Sequence, residues 1–196
     1  MVTTTLPGFR DPVHDAQQTF RGLLEALAHP GQAYTLNLTF SSPEGLTPIC
    51  AAACLTLLDL ETTVWLQPSL PATVKDWLCF HTGCRFTDNP ELATFAVIGD
   101  AFSQPELRAF NWGSAEDPEQ STTLLIQVNS FTSGVVQQLS GAGVLGSMSF
   151  APSLPETFWT QRRSDAYPQG VDCFLLSQQS VVGLPRTVRS SQLLVA

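Results

Sequence analysis

Tyr167-Pro168-Gln169-Gly170-Val171-Asp172-Cys173-Phe174-Leu175-Leu176 joins a turn to a core strand. Pro168 fixes φ and Gly170 permits positive φ, so the first four residues read as a tight turn. Val171, Cys173 and Phe174 to Leu176 then form a mostly apolar run, closed by Ser177-Gln178-Gln179-Ser180. Such a run is a buried strand or a buried helix segment, and the breakers on either side favour a strand. Asp172 is the exception, a carboxylate at the mouth of that strand. An unpaired buried charge is costly, so Asp172 has to be hydrogen-bonded, ion-paired or left in a cleft. Arg186, in Leu184-Pro185-Arg186-Thr187 one hairpin later, is its natural partner.

Upstream of this stretch, Pro155 to Ala166 reads as a helix and Ser140-Gly141-Ala142-Gly143 as a small-residue loop. The loop follows a strand over Val135 to Leu139, and Ser133-Gly134 suggests a hairpin between that strand and Thr122 to Val128, the longest apolar β run. Asn111 to Gln120 is an acidic loop with Gly113 and Pro118, the segment expected to be most mobile. Pro105 to Phe110 reads as a helical turn, and Thr94 to Ile98 as an apolar strand ending at Gly99-Asp100.

Nearer the start, Arg85-Phe86-Thr87 reads as an edge strand after Gly83. A helix over Pro71 to Phe80 carries Val74, Trp77 and Leu78, and Thr62 to Leu66 is a short strand. Pro48 suits the first turn of a helix running to about Leu60 that is apolar nearly all round, hence packed on more than one side. Ala33 to Phe40 alternates as a half-buried strand. A helix from about Asp15, its N-cap, to Ala28 has Phe20, Leu23, Leu24 and Leu27 as its buried stripe and stops at His29-Pro30-Gly31. Residues 1–11 read as an extended arm. Strands and helices alternate in the first half and hairpins dominate the end. The pattern predicts one domain over residues 1–196, a three-layer α/β/α arrangement around a mixed sheet.

The 196 residues are long enough to bury a sizeable core, and the composition is globular, 43% hydrophobic and only 13% charged. So few charges leave neutral or apolar surface that suits burial against partner chains. A net charge of −8 argues against nonspecific binding to nucleic acid or to an anionic membrane. No apolar run reaches transmembrane length, and the N-terminus has no basic region followed by an apolar core, so the expected location is the cytoplasm. An odd number of cysteines, five, points to buried thiols rather than a disulfide framework. Cys79, His81 and Cys84 match no common zinc spacing, so no metal is expected.

For chemistry, the Ser140–Gly143 loop follows a strand as a phosphate-binding loop does, but it lacks the dinucleotide pattern and a following lysine. On motif alone a plain turn is the favoured reading. His29 is explained as a helix C-terminal cap. No Ser or Cys sits in a nucleophile elbow. Spacing alone singles out no enzyme class.

Several stretches together resemble the PhnH family, the H subunit of the carbon–phosphorus lyase core complex. They are Asp15-Ala16-Gln17-Gln18-Thr19-Phe20-Arg21-Gly22-Leu23-Leu24, His29-Pro30-Gly31, Val64-Trp65-Leu66, Phe80-His81-Thr82, Ala93-Thr94-Phe95-Ala96, Thr123 to Val128, Leu139 to Gly143, Tyr167 to Asp172 and Leu184 to Thr187. They occur in the family's order and span nearly the whole chain. Ser140 and Tyr167 depart from the expected Thr and Phe.

The resemblance implies a fold like the large domain of pyridoxal-phosphate-dependent transferases without that cofactor. Lys75, the only lysine, sits in a polar helix start, a poor place to depress its pKa. It also implies an accessory subunit that acts with the G, I and J subunits in phosphonate breakdown, in ATP-dependent formation of ribose 1-phosphonate 5-triphosphate. The later radical cleavage belongs to the J subunit's iron–sulfur cluster, and this chain has no cluster-type cysteine pattern. Alone, a chain with this surface is expected to form a homodimer. A phosphorylated or phosphonate ligand would be sought near Gly141, Gly143, Asp172 and Arg186. The glycines can expose amides and Arg186 can fork onto an anion. The alternative for Asp172 and Arg186 is that they only pin the last hairpin. The competing class is an autonomous enzyme whose pocket uses Arg21, His81, Asp172 and Arg186.

Overall fold

The computed structural model describes residues 6–162 and 166–192. The decisive stretch is a strand, β8 (Asp172–Leu176), in the middle of a seven-stranded sheet. The others are β1 (Tyr34–Thr35), β2 (Thr63–Leu66), β3 (Arg85–Phe86), β4 (Phe95–Ile98), β5 (Thr123–Gln127) and β9 (Ser180–Leu184), in the spatial order β3-β2-β4-β5-β8-β9-β1. β3, β2, β4, β5 and β8 are mutually parallel, while β9 runs antiparallel to both β8 and β1. The expected mixed α/β sheet is therefore present. Leu184 ends β9, and Pro185 and Arg186 form the connection that follows.

Burial is nearly continuous along each central strand, as a sheet covered on both faces requires, and successive residues face opposite cores. Ala96, Ile98, Leu124, Ile126, Cys173 and Leu175 face one core, and Val97, Leu125, Phe174 and Leu176 face the other. The second core is covered by helices α1 (Pro12–Ala28), α2 (Pro48–Leu57) and α3 (Ala72–Thr82). The first is covered by the short α4 (Glu156–Gln161), one-turn segments, and a second, antiparallel sheet. That sheet is β6 (Gln137–Gly141), β7 (Met148–Phe150) and β10 (Val188–Gln192), in the order β10-β6-β7. Only one face of the large sheet is thus fully helical, where helices were expected on both. The expected β5–β6 hairpin is absent: β6 leaves the large sheet to pair with β7 and β10. The helix expected over Pro155 to Ala166 is described only to Gln161, and residues 163–165 of that expectation lie outside the described residues.

Helix α1 starts earlier than expected. Asp11 is the N-cap and accepts from the His14 N–H at 3.1 Å, with Pro12 at the first helical position. Asp15, expected as the cap, accepts from the Asp11 N–H at 3.0 Å, so the two carboxylates cap the turn reciprocally. The buried face also differs. Thr19, Gly22, Leu23 and Ala26 are buried, whereas Phe20 is 51% and Leu24 56% exposed. Small residues decide this face. A side chain at Gly22 would strike Leu36, and one at Gly183 on β9 would strike the backbone at Ala26, so the helix touches the sheet through its smallest positions. The larger neighbours are rotated outward.

The expected strand over Ala33 to Phe40 keeps its alternation in burial, with Leu36 buried and Asn37 exposed, but only Tyr34 and Thr35 pair with β9. Helix α2 has Thr47 as N-cap, Pro48 at its first position and Ile49 through Cys54 all buried, as an all-round apolar helix requires. Helix α3 ends on Gly83 at φ 68°. The arm is described from residue 6. Its Leu6 carbonyl accepts from Trp77 Nε1 and His81 Nε2, each at 2.9 Å, which straps the arm across α3.

Candidate functional site

Asp172 is the first residue of β8, at the amino-terminal edge of the parallel strands, and Arg186 is its partner. Arg186 Nη2 lies 2.6 Å from Asp172 Oδ2, and Nε lies 3.1 Å from the same oxygen. The Arg186 backbone N–H donates to Asp172 Oδ1 at 2.7 Å. The remaining guanidinium donors go to the Pro118 and Pro168 carbonyls and to Ser121 Oγ. Every donor of this arginine has a protein acceptor, and its side chain is 13% exposed. The acidic loop read as mobile is held here, by Arg186 at Pro118, by the Gly170 N–H on the Trp112 carbonyl at 2.9 Å and by Gln169 Nε2 on the Gly113 carbonyl at 3.1 Å.

The two glycines are separated. Gly141 belongs to β6 and pairs with Val188, where a Cβ would stand 2.8 Å from the Thr187 carbonyl. Gly143 has φ 80°, and a Cβ there would stand 2.6 Å from Pro30 Cδ, against the end of α1. Close backbone packing thus accounts for both small residues. Arg21 is exposed on α1, and His81 is engaged by the arm. Among the described residues neither bonds to Asp172 or Arg186. Lys75 Nζ lies 5.2 Å from the Phe86 ring centroid. Cys79 is exposed and Cys84 buried, and among the described residues no three His, Cys, Asp or Glu side chains converge as a metal site.

Next to the ion pair, Arg162 was not singled out by sequence reading. Its guanidinium donates to the Leu184 carbonyl at 3.1 Å and to that of Pro185, with Nη1 4.0 Å from Cys173 Sγ. Burial pushes the Cys173 thiol up to about 12, against the pull of Arg162, and burial likewise lowers Arg162. Arg162 therefore holds the 184–185 carbonyls, while Arg186 ties the same connection to Asp172 and the acidic loop.

A second region of interest lies at the other edge. A cleft of about 530 Å³ sits beyond the carboxyl ends of β4, β5 and β8, beside the start of α2. This is where open parallel sheets place ligands. Two glutamines build it. Gln67, directly after β2 and only 2% exposed, donates through Nε2 to the Asp100 carbonyl at 2.9 Å and accepts the Asp100 N–H at 2.8 Å. Gln127, the last residue of β5, accepts the Thr47 N–H at 2.5 Å and donates to the Gly45 carbonyl at 2.8 Å. Each amide fixes a neighbouring loop as a backbone segment would. The signal in the sequence was a glutamine closing an apolar strand, in Val64-Trp65-Leu66-Gln67 and Leu124-Leu125-Ile126-Gln127.

Comparison with known proteins bears on the whole of this architecture. The family described as bacterial phosphonate metabolism protein (PhnH) matches residues 7–191. The chain is 34% identical over 186 residues to the alpha-D-ribose 1-methylphosphonate 5-triphosphate synthase subunit PhnH of Rhizobium meliloti (strain 1021), covering 92% of each protein. It is 30% identical over 175 residues to the putative C-P lyase subunit protein HtxG of Stutzerimonas stutzeri, covering 87% of this chain and 83% of that one. With the match running through both sheets and all four helices described above, the chain belongs to the PhnH family.

Proposed function

We propose that this chain is an accessory, non-catalytic subunit of a carbon–phosphorus lyase core complex, supporting ATP-dependent formation of ribose 1-phosphonate 5-triphosphate in phosphonate catabolism. The observation that carries this reading is the near end-to-end similarity to two relatives named as subunits of such assemblies. Its partners are then the G, I and J subunits, and its location the cytoplasm. Among the described residues no helix is long and apolar enough to cross a membrane, which agrees with that location. The chain works without pyridoxal phosphate in this reading. A parallel sheet with one antiparallel strand second from the edge is the arrangement that supports likeness to the large domain of pyridoxal-phosphate-dependent transferases.

The saturated donors of Arg186 favour the pinning role of the Asp172–Arg186 pair over anion binding, and the accessory reading over an autonomous enzyme. The test is the purified chain with ATP and methylphosphonate, alone and with its partner subunits. Adenine release is expected only with the partners, and release by the chain alone would overturn the proposal. In isolation the chain forms a homodimer through apolar surface, to which Val13, Phe20 and Leu24, all exposed on α1, contribute. A single monomeric species in sedimentation at micromolar concentration would sink that reading.

A further inference from the structure

The cleft beyond β4, β5 and β8 has a chemistry of its own. Its volume of about 530 Å³ is that of a small-molecule site. No Lys, Arg or His lines it, and its one charged side chain is the carboxylate of Asp100. A site of that kind repels phosphate and phosphonate groups and favours neutral ligands that donate hydrogen bonds.

The lining divides into fixed and free groups. Gln127 has both amide atoms committed to the 45–47 loop, which sets the wall before any ligand arrives. Asp100 is oriented, accepting the Phe102 N–H at 3.0 Å and the Ser103 hydroxyl at 2.5 Å, and its carboxylate keeps lone pairs for a further donor. The side-chain amides of Asn129 and Gln178 make no hydrogen bond with any described residue, and both line the cleft. Each offers a donor and an acceptor side by side. Phe102, 65% exposed, stands among the same lining residues and presents an aromatic surface.

An aromatic face, adjacent amide donor–acceptor pairs and a carboxylate are the groups that read the edge and plane of a nucleobase. We infer that this cleft binds a neutral purine, as the free base or nucleoside, stacked on Phe102 and read by Asn129, Gln178 and Asp100. The absence of any cation places a phosphorylated tail outside the cleft. The inference concerns the isolated chain and does not rest on the assembly proposed above, so its failure leaves that reading intact.

The test uses the full chain, titrated with adenosine, with ribose and with inorganic phosphate, followed by calorimetry and ligand-observed NMR. Saturable adenosine binding is expected, with ribose and phosphate unable to displace it. Phe102→Ala should weaken adenosine about ten-fold, the loss of one stacking contact. Asn129→Ala should weaken it comparably. Both residues are exposed, so melting temperatures should match the parent chain, and Gln104→Ala, outside the cleft lining, should bind as the parent does. No saturable adenosine binding, adenosine binding unchanged in both cleft variants, or displacement by phosphate would each overturn the inference.

Discussion

Arg186 Nη2 lies 2.6 Å from Asp172 Oδ2, and the same guanidinium reaches the Pro118 and Pro168 carbonyls and Ser121 Oγ. One side chain thereby joins the start of β8, the turn before it and the acidic loop. Arg186→Ala should cost about 3 kcal/mol, because it strands a mostly buried carboxylate. It should also raise hydrogen exchange across residues 111–121. Arg186→Lys should recover only part, since an ammonium cannot reproduce the fork. Denaturant melts and exchange mass spectrometry read both effects. A variant with parental stability that lowers only the activity of the reconstituted complex would instead give Arg186 a ligand role.

Gln67→Ala should destabilise by about 2 kcal/mol, because it leaves the Asp100 N–H and carbonyl without their partner in a buried setting. Gln67→Glu should not restore this at neutral pH. A carboxylate can accept from the Asp100 N–H, but it faces the Asp100 carbonyl oxygen where the amide donates. Chemical denaturation of the two variants measures this directly.

Gly143→Ala and Gly146→Ala form a matched pair. Both glycines have positive φ, 80° and 70°, but a Cβ at Gly143 meets α1 and Pro30 while one at Gly146 meets nothing within 4 Å. Gly146→Ala should cost about 1 kcal/mol for the left-handed backbone alone. Gly143→Ala should cost about 3 kcal/mol, with overpacking added. Equal melting temperatures for the two would contradict the packing role assigned to Gly143.

The thiols should set an alkaline limit. Cys173 is raised from the ordinary 9.0 to about 12 by burial, and Cys84 is raised by burial as well. Cys54 is raised through its hydrogen bond with Cys50 and through burial. The unfolded chain loses these protons first, so it binds fewer protons than the folded chain above pH 9 and stability falls as pH rises. The stabilisation is complete below about pH 9 and for Cys173 is lost progressively towards pH 12. Cys173→Ala should flatten that decline in a urea-melt series. At pH 8 a thiol reagent should label exposed Cys79 quickly and Cys50, Cys54, Cys84 and Cys173 only on unfolding.

The amino-acid sequence by itself determined the features that depend on near neighbours. The breakers around Val171 to Leu176 bounded a strand, and a helix apolar on every side at Ile49 to Cys54 had to be buried on every side. A carboxylate opening a core strand required a partner, and Arg186 is that partner. The joint pattern of short segments also carried the family. Only the tertiary structure decided the rest. Gly22 and Ala26 turned α1 so that Phe20 and Leu24 point outward, because close approach to the sheet outweighs the size of the apolar stripe. β6 left β5 for β7 and β10, a choice between long-range partners that no local period encodes. The carboxyl-edge cleft joins Thr47, Asp100, Gln127 and Gln178, which are far apart in the chain. It was illegible beforehand because its residues are individually ordinary, and parallel pairing of β4, β5 and β8 is what aligns their ends into one wall.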